Sequence, residues 1–157
     1  NKFMDTTTKN TPVVLTEKVK EFKLIARNAL RMELINPILA GISQLENEIK
    51  KFEECIKNEE KNIAIAEYRI ERFNRLDANH PDLENLKKNQ GKTIERHQEY
   101  IKDFNKEIER HIKIIGEERT AIARIETGET LVSAGRLEEM VNKLILQEAK
   151  NTIVATV

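Results

Sequence analysis

Residues 42–73 read ISQLENEIKKFEECIKNEEKNIAIAEYRIERF, and their periodicity decides the fold. Ile42, Leu45, Ile49, Phe52, Ile56, Glu59, Ile63, Ala66, Ile70 and Phe73 fall on alternating spacings of three and four. That spacing returns side chains to one stripe of a helix, and its persistence over several heptads marks a coiled-coil seam. Glu59 is the one charged residue on the stripe.

A second run of the same kind follows. Ile94, His97, Ile101, Phe104, Ile108, His111, Ile115, Glu118, Ile122 and Ile125 repeat the alternation. Leu76-Asp77-Ala78-Asn79-His80-Pro81-Asp82 separates the two runs, with Pro81 read as the first residue of a new helix and Asp82 and Glu84 in its first turn. Two seams of similar length joined by a short turn predict an antiparallel hairpin. Facing residues then have nearly constant index sums. Phe52 is expected near Phe104, Ile49 near Ile108 or His111, and Glu59 near His97 or Ile101. Gln90-Gly91 is the weak point, since a mid-helix Gly costs about 1 kcal/mol relative to Ala.

Working outward, Val19, Phe22, Ala26, Ala29 and Leu30 recur at helical spacing behind a Thr16 cap, predicting a first helix over 16–35. Asn36-Pro37 predicts a break, with Asn as cap and Pro opening a second helix over 37–76. The third helix covers 81–127 and closes at Thr127-Gly128, Gly supplying a left-handed cap. A fourth, over 130–150, starts at Thr130 or Ser133 and presents Leu137, Met140, Val141, Leu144 and Ile145. Residues 1–12 are polar and without period, hence a flexible arm. Val13-Val14-Leu15 and the 151–157 tail are short and β-prone or disordered.

The fold class is therefore all-α. Residues 13–150 form a single helical domain, a long antiparallel coiled-coil hairpin with two shorter helices packing at its base. Ile112 and Ile114 widen the apolar stripe beside His111 and Ile115, and a wider stripe implies more than one neighbour. The base is expected around 15–50 and 108–148, a two-helix stalk over 52–104, and a tip at 76–83.

Composition narrows the function. Charged residues make up 34% and aromatics 4%, with no Trp, which suits extended helices with solvated faces better than a sheet or Rossmann-like fold. The 27 basic and 27 acidic residues cancel. Residues 1–35 hold seven basic and four acidic side chains, a local +3, and the segments 36–75, 76–128 and 129–157 each come to −1. Lys18, Lys20, Lys23, Arg27 and Arg31 on the first helix are the candidate nucleic-acid contacts, interleaved with Glu17, Glu21 and Glu33. A solvated helix face is the plainer account of them, so nucleic acid is only the alternative.

Catalysis and cofactors find no support. No nucleophile, base and acid arrangement is legible, and no Gly-rich phosphate loop. Cys55 sits among Glu53, Glu54 and Glu59, which disfavour a thiolate. His97 and His111 lie about 21 Å apart along one helix and cannot share a metal. Ile94 and Ile108 stand where a di-iron bundle would need Glu. We expect no enzyme activity, no metal, no cofactor and no small-molecule substrate. Glu59, His97, His111 and Glu118 are better read as polar residues that fix seam register and partner choice.

What is left is contact with protein. The expected role is a coiled-coil interaction module, acting as adaptor, assembly component or inhibitor through a protein partner, self-association or both. Leu76, His80 and Leu83 at the tip and Ile65 and Tyr68 off the seam are the candidate contact residues. The lone Cys, the lack of a signal peptide and the absence of an N-glycosylation sequon fit the cytoplasm, or the inside of a virus particle, better than secretion. No apolar run approaches the length of a membrane helix. Size and the abundance of Ile, Asn, Lys and Glu suggest a phage or mobile-element setting. Asn1-Lys2-Phe3 ahead of Met4 is read as a remnant preceding a native start, or as a sign that the chain is a piece of a longer protein.

Overall fold

A computed structural model describes the backbone of residues 2–76 and 79–156 and the side chains of 16–76 and 79–153. Three helices account for it: α1 (Lys2–Asn74), α2 (Leu83–Glu126) and α3 (Ala134–Thr156), with no strand among the described residues. The long α1 packs against α2 and against α3. The chain divides into two compact units, Ala40–Arg119 and Asn1–Leu39 with Thr120–Val157.

In the Ala40–Arg119 unit α1 packs against α2. Ile42, Ala66 and Ile115 are buried, while Leu45, Ile49, Phe52, Ile56, Ile63, Ile70 and Phe73 are half-buried on α1. Ile94, Ile101, Phe104 and Ile108 match them on α2. Phe52 and Phe104 stack with ring centroids 6.0 Å apart, and Glu59 meets His97. Both are pairs that constant index sums predict. Residue numbers rise along α1 as their partners fall along α2. Gly91 lies inside α2 without ending it.

Two expectations need correction in this unit. The helix does not begin at Pro81. Asp82 has φ 65°, outside the right-handed helical region, and its carbonyl accepts the Leu86 amide at 2.9 Å, so Asp82 is the cap and Leu83 the first helical residue. Asp tolerates the left-handed region better than most side chains. Ile112 and Ile114 are 57% and 41% exposed, so the stripe they were expected to widen remains the narrow one that a single neighbour requires.

In the other unit, Ala26, Leu30, Ile35, Ile125 and Val141 are buried. Val19, Phe22, Leu137, Met140 and Leu144 are half-buried around them. Lys18 Nζ donates to Glu148 Oε1 at 2.7 Å, and Arg136 Nη2 to Glu33 Oε2 at 2.9 Å, clamping α3 along α1. Gly128 has φ 83° and its amide donates to the Ile125 carbonyl, the left-handed cap expected at the end of α2. Ser133, not Thr130, opens α3. Its Oγ accepts the Arg136 amide at 3.4 Å and its carbonyl the Leu137 amide at 2.9 Å, the pattern of an N-cap. The helix accordingly starts at Ala134 and continues past 150.

The break at Asn36-Pro37 is absent, and α1 stays helical through it. Pro37 removes one backbone donor, at a cost of about 3 kcal/mol in a helix interior. Burial of Leu30 and Ile35 ahead of it and of Ile42 after it offsets that cost. What does change here is the face. Leu30 and Ile35 are five residues apart, so their directions differ by about 140° at 100° per residue.

The β-prone termini are also corrected. Residues 13–15 have helical backbone within α1, and Thr152–Thr156 closes α3 as helix. Local β propensity is a weak preference that helix continuation overrides. The expected flexible arm over 1–12 is helical in backbone from Lys2, while Asn1, Val157 and the side chains of 1–15 lie outside the described residues.

Candidate interaction surface

Inside the Ala40–Arg119 unit, two histidines of α2 each reach a glutamate of α1. His97 Nδ1 bonds to Glu59 Oε2, with 15% and 16% of the side chains exposed. His111 Nε2 lies 2.6 Å from Glu48 Oε2, and its ring stands edge-on to Phe52 at 5.5 Å. Arg119 Nη2 adds a third cross-helix bond, to Glu46 Oε1 at 3.2 Å. Tyr100, one turn beyond His97, covers that ring edge-on at 5.8 Å. His111 Nδ1 is buried without a protein partner.

These three contacts join side chains of α1 to side chains of α2. Glu118 is half-buried in the same unit. His97 and His111 are thus committed to different glutamates. Among the described residues no group of three or more His, Cys, Asp or Glu could hold a metal ion. Glu48 and Glu46 were not foreseen as partners. Each flanks the stripe and is long enough to reach across it, and only the helix phase reveals which flank faces α2.

The candidate contact residues divide. Ile65 and Tyr68 are 42% and 59% exposed, on the face of α1 away from α2, and Leu76 is 44% exposed. His80 is exposed. Leu83 is 9% exposed and belongs to the core at the start of α2. Arg69, Arg72, Phe73 and Leu76 line a cavity of about 330 Å³ beside the end of α1. Cys55 is exposed.

The basic side chains of the first part of α1 do not act as one row. Lys18 is engaged by Glu148, whose hydrogen bond and carboxylate charge raise the lysine above its usual value. Arg31 is half-buried, its guanidinium close to Gly128, and with Arg27 it lines a cavity beside Leu131 and Leu137. Lys20, Lys23 and Arg27 remain exposed. No described helix is long and apolar enough to cross a membrane.

Comparisons with protein-family models, with curated proteins and with solved structures find no match to this chain.

Proposed function

We propose that this chain is a non-enzymatic interaction module built on an antiparallel coiled-coil hairpin, working through protein contacts as an adaptor, assembly component or inhibitor. One observation carries the reading: Ile65 and Tyr68 on α1, and Leu76 just past its end, stay exposed while the stripe residues Ile63, Ala66, Ile70 and Phe73 are covered. Apolar side chains grouped on a solvent face mark a contact surface more often than scattered ones do. The two His–Glu pairs support the hairpin, since they hold one register and leave the opposite face free for a partner. Action in the cytoplasm, or inside a virus particle, is part of the same proposal.

Nucleic-acid contact through helix one ranks second. It would rest on Lys20, Lys23 and Arg27, because Lys18 is engaged by Glu148.

The test is affinity capture from the native host with three baits: the unaltered chain, a chain with 76–82 replaced by a Gly/Ser linker, and Ile65→Ser/Tyr68→Ser. Loss of the same protein from both altered baits is the expected result. Unchanged capture by both would remove the α1 face from the account. Capture of nucleic acid that disappears steeply with salt would favour the second reading.

A further inference from the structure

We infer that the outward face of α1 from Lys61 to Arg72, together with Leu76 just past its end, is a docking groove for an acidic amphipathic helix of a partner protein, an inference that rests on the protein-contact reading above. Lys61, Ile65, Tyr68 and Arg72 are spaced by four, three and four residues, which places them along one face of α1, and Leu76 follows two residues past its end. Arg69 borders it. The row thus alternates cationic and apolar side chains.

Its cations are unsatisfied. Among the described residues Lys61, Arg69 and Arg72 make no ion pair, whereas neighbouring Arg75 is held by Glu71 at 2.7 Å. The acids nearest in sequence do not share the face. At about 100° per residue, Glu60, Glu67 and Glu71 project roughly a quarter turn or more away from the row. Residues 61–76 hold four basic and two acidic side chains, and the helix turns the acidic ones away from the row.

Its apolar members are equally unsatisfied. Ile65, Tyr68 and Leu76 are 42%, 59% and 44% exposed. The cavity of about 330 Å³ between Arg69, Arg72, Phe73 and Leu76 is large enough for an inserted Leu or Phe side chain, with two guanidinium groups at its rim. A helix laid in this groove would place apolar anchors at i, i+3, i+4 and i+7. Its carboxylates would lie against Lys61, Arg69 and Arg72, and arginine favours bidentate carboxylate pairing. A nucleic-acid backbone would meet the cations but leave the cavity, Ile65 and Leu76 uncovered. Charge and apolar surface together select an acidic protein helix.

The experiment is selection of a displayed library of helical peptides on the immobilised full chain. Enriched peptides are then rebound to Arg69→Glu/Arg72→Glu and to Ile65→Ser/Leu76→Ser, all of them exposed or rim positions whose variants are checked for native helix content. Enriched peptides should carry Asp or Glu flanking Leu or Phe at helical spacing. Affinity should fall at least tenfold in each variant. The inference is overturned by peptides without acidic bias, by binding that charge reversal leaves unchanged, or by no enrichment at all. It is overturned as well by a fluorescent DNA duplex that outcompetes the peptides on this face with steep salt dependence. None of these outcomes decides the protein-contact reading itself, which the capture experiment measures separately.

Discussion

Glu59 and His97, 38 residues apart in sequence, meet side chain to side chain between α1 and α2 with 16% and 15% of their surfaces exposed. Removing either one alone strands the other in a half-buried setting, which costs about 1–3 kcal/mol. Removing both substitutes apolar contact for a polar pair, a change that is often neutral or stabilising. Chemical denaturation of Glu59→Leu, His97→Leu and the double variant should therefore show two destabilised singles and a double close to the unaltered chain. Additive losses would mean that the two side chains do not act as a pair.

Pro37 sits inside a continuous helix, exposed to solvent. Pro37→Ala restores the missing backbone donor and loses little burial, so unfolding free energy should rise by about 1–3 kcal/mol. A neutral or destabilising outcome would place a helix start at this position, where Pro is favoured.

The turn between α2 and α3 depends on Gly128 and Ser133. Gly128→Ala forces a Cβ into a left-handed position and should cost about 1–2 kcal/mol. Its Cβ would also come 3.1 Å from the Arg31 guanidinium, whose flexible end can give way. Ser133→Ala removes the cap of α3 at a cost of about 1 kcal/mol, and Thr130→Ala should cost less. Equal effects at 130 and 133 in thermal denaturation would contradict the cap assignment.

The Lys18–Glu148 bond gives a pH dependence with a definite sign. Because the folded lysine is raised, its contribution is fully present below the unfolded lysine value of about 10.4 and is lost as pH climbs through the folded value. The stability difference between the unaltered chain and Lys18→Gln should be constant from pH 7 to 9 and close toward pH 11.5. Both side chains are about half exposed, so the difference should be small and should shrink with salt. A gap that widens with pH would contradict the pairing.

Much of α1 and α2 is legible in the sequence because the three-four spacing marks which residues share one stripe of a helix. Phe52 with Phe104 and Glu59 with His97 follow from arithmetic about the 76–82 turn. Pro37 misleads because a strong local signal competes with a weaker long-range one. Ile35 and Ile38 continue the alternation backward from Ile42, and that continuity argues for one helix. Leu83 is buried at the start of α2, where nearness to the turn alone does not distinguish a core position from an exposed one. The cationic row from Lys61 to Arg72 is hidden in the linear sequence because Lys, Arg and Glu are interspersed along the chain but separate around the helix.

The most direct test of the account is a cross-link between its two long helices. With Cys55→Ser as background, Glu59→Cys and His97→Cys in one chain should form a disulfide within that chain on mild oxidation. The product should run as a monomer and retain the helix content of the reduced form. The account predicts that intrachain bond in high yield, while Glu53→Cys paired with His97→Cys stays reduced. Disulfides formed mainly between chains, or at both positions equally, would contradict the pairing of α1 with its own α2.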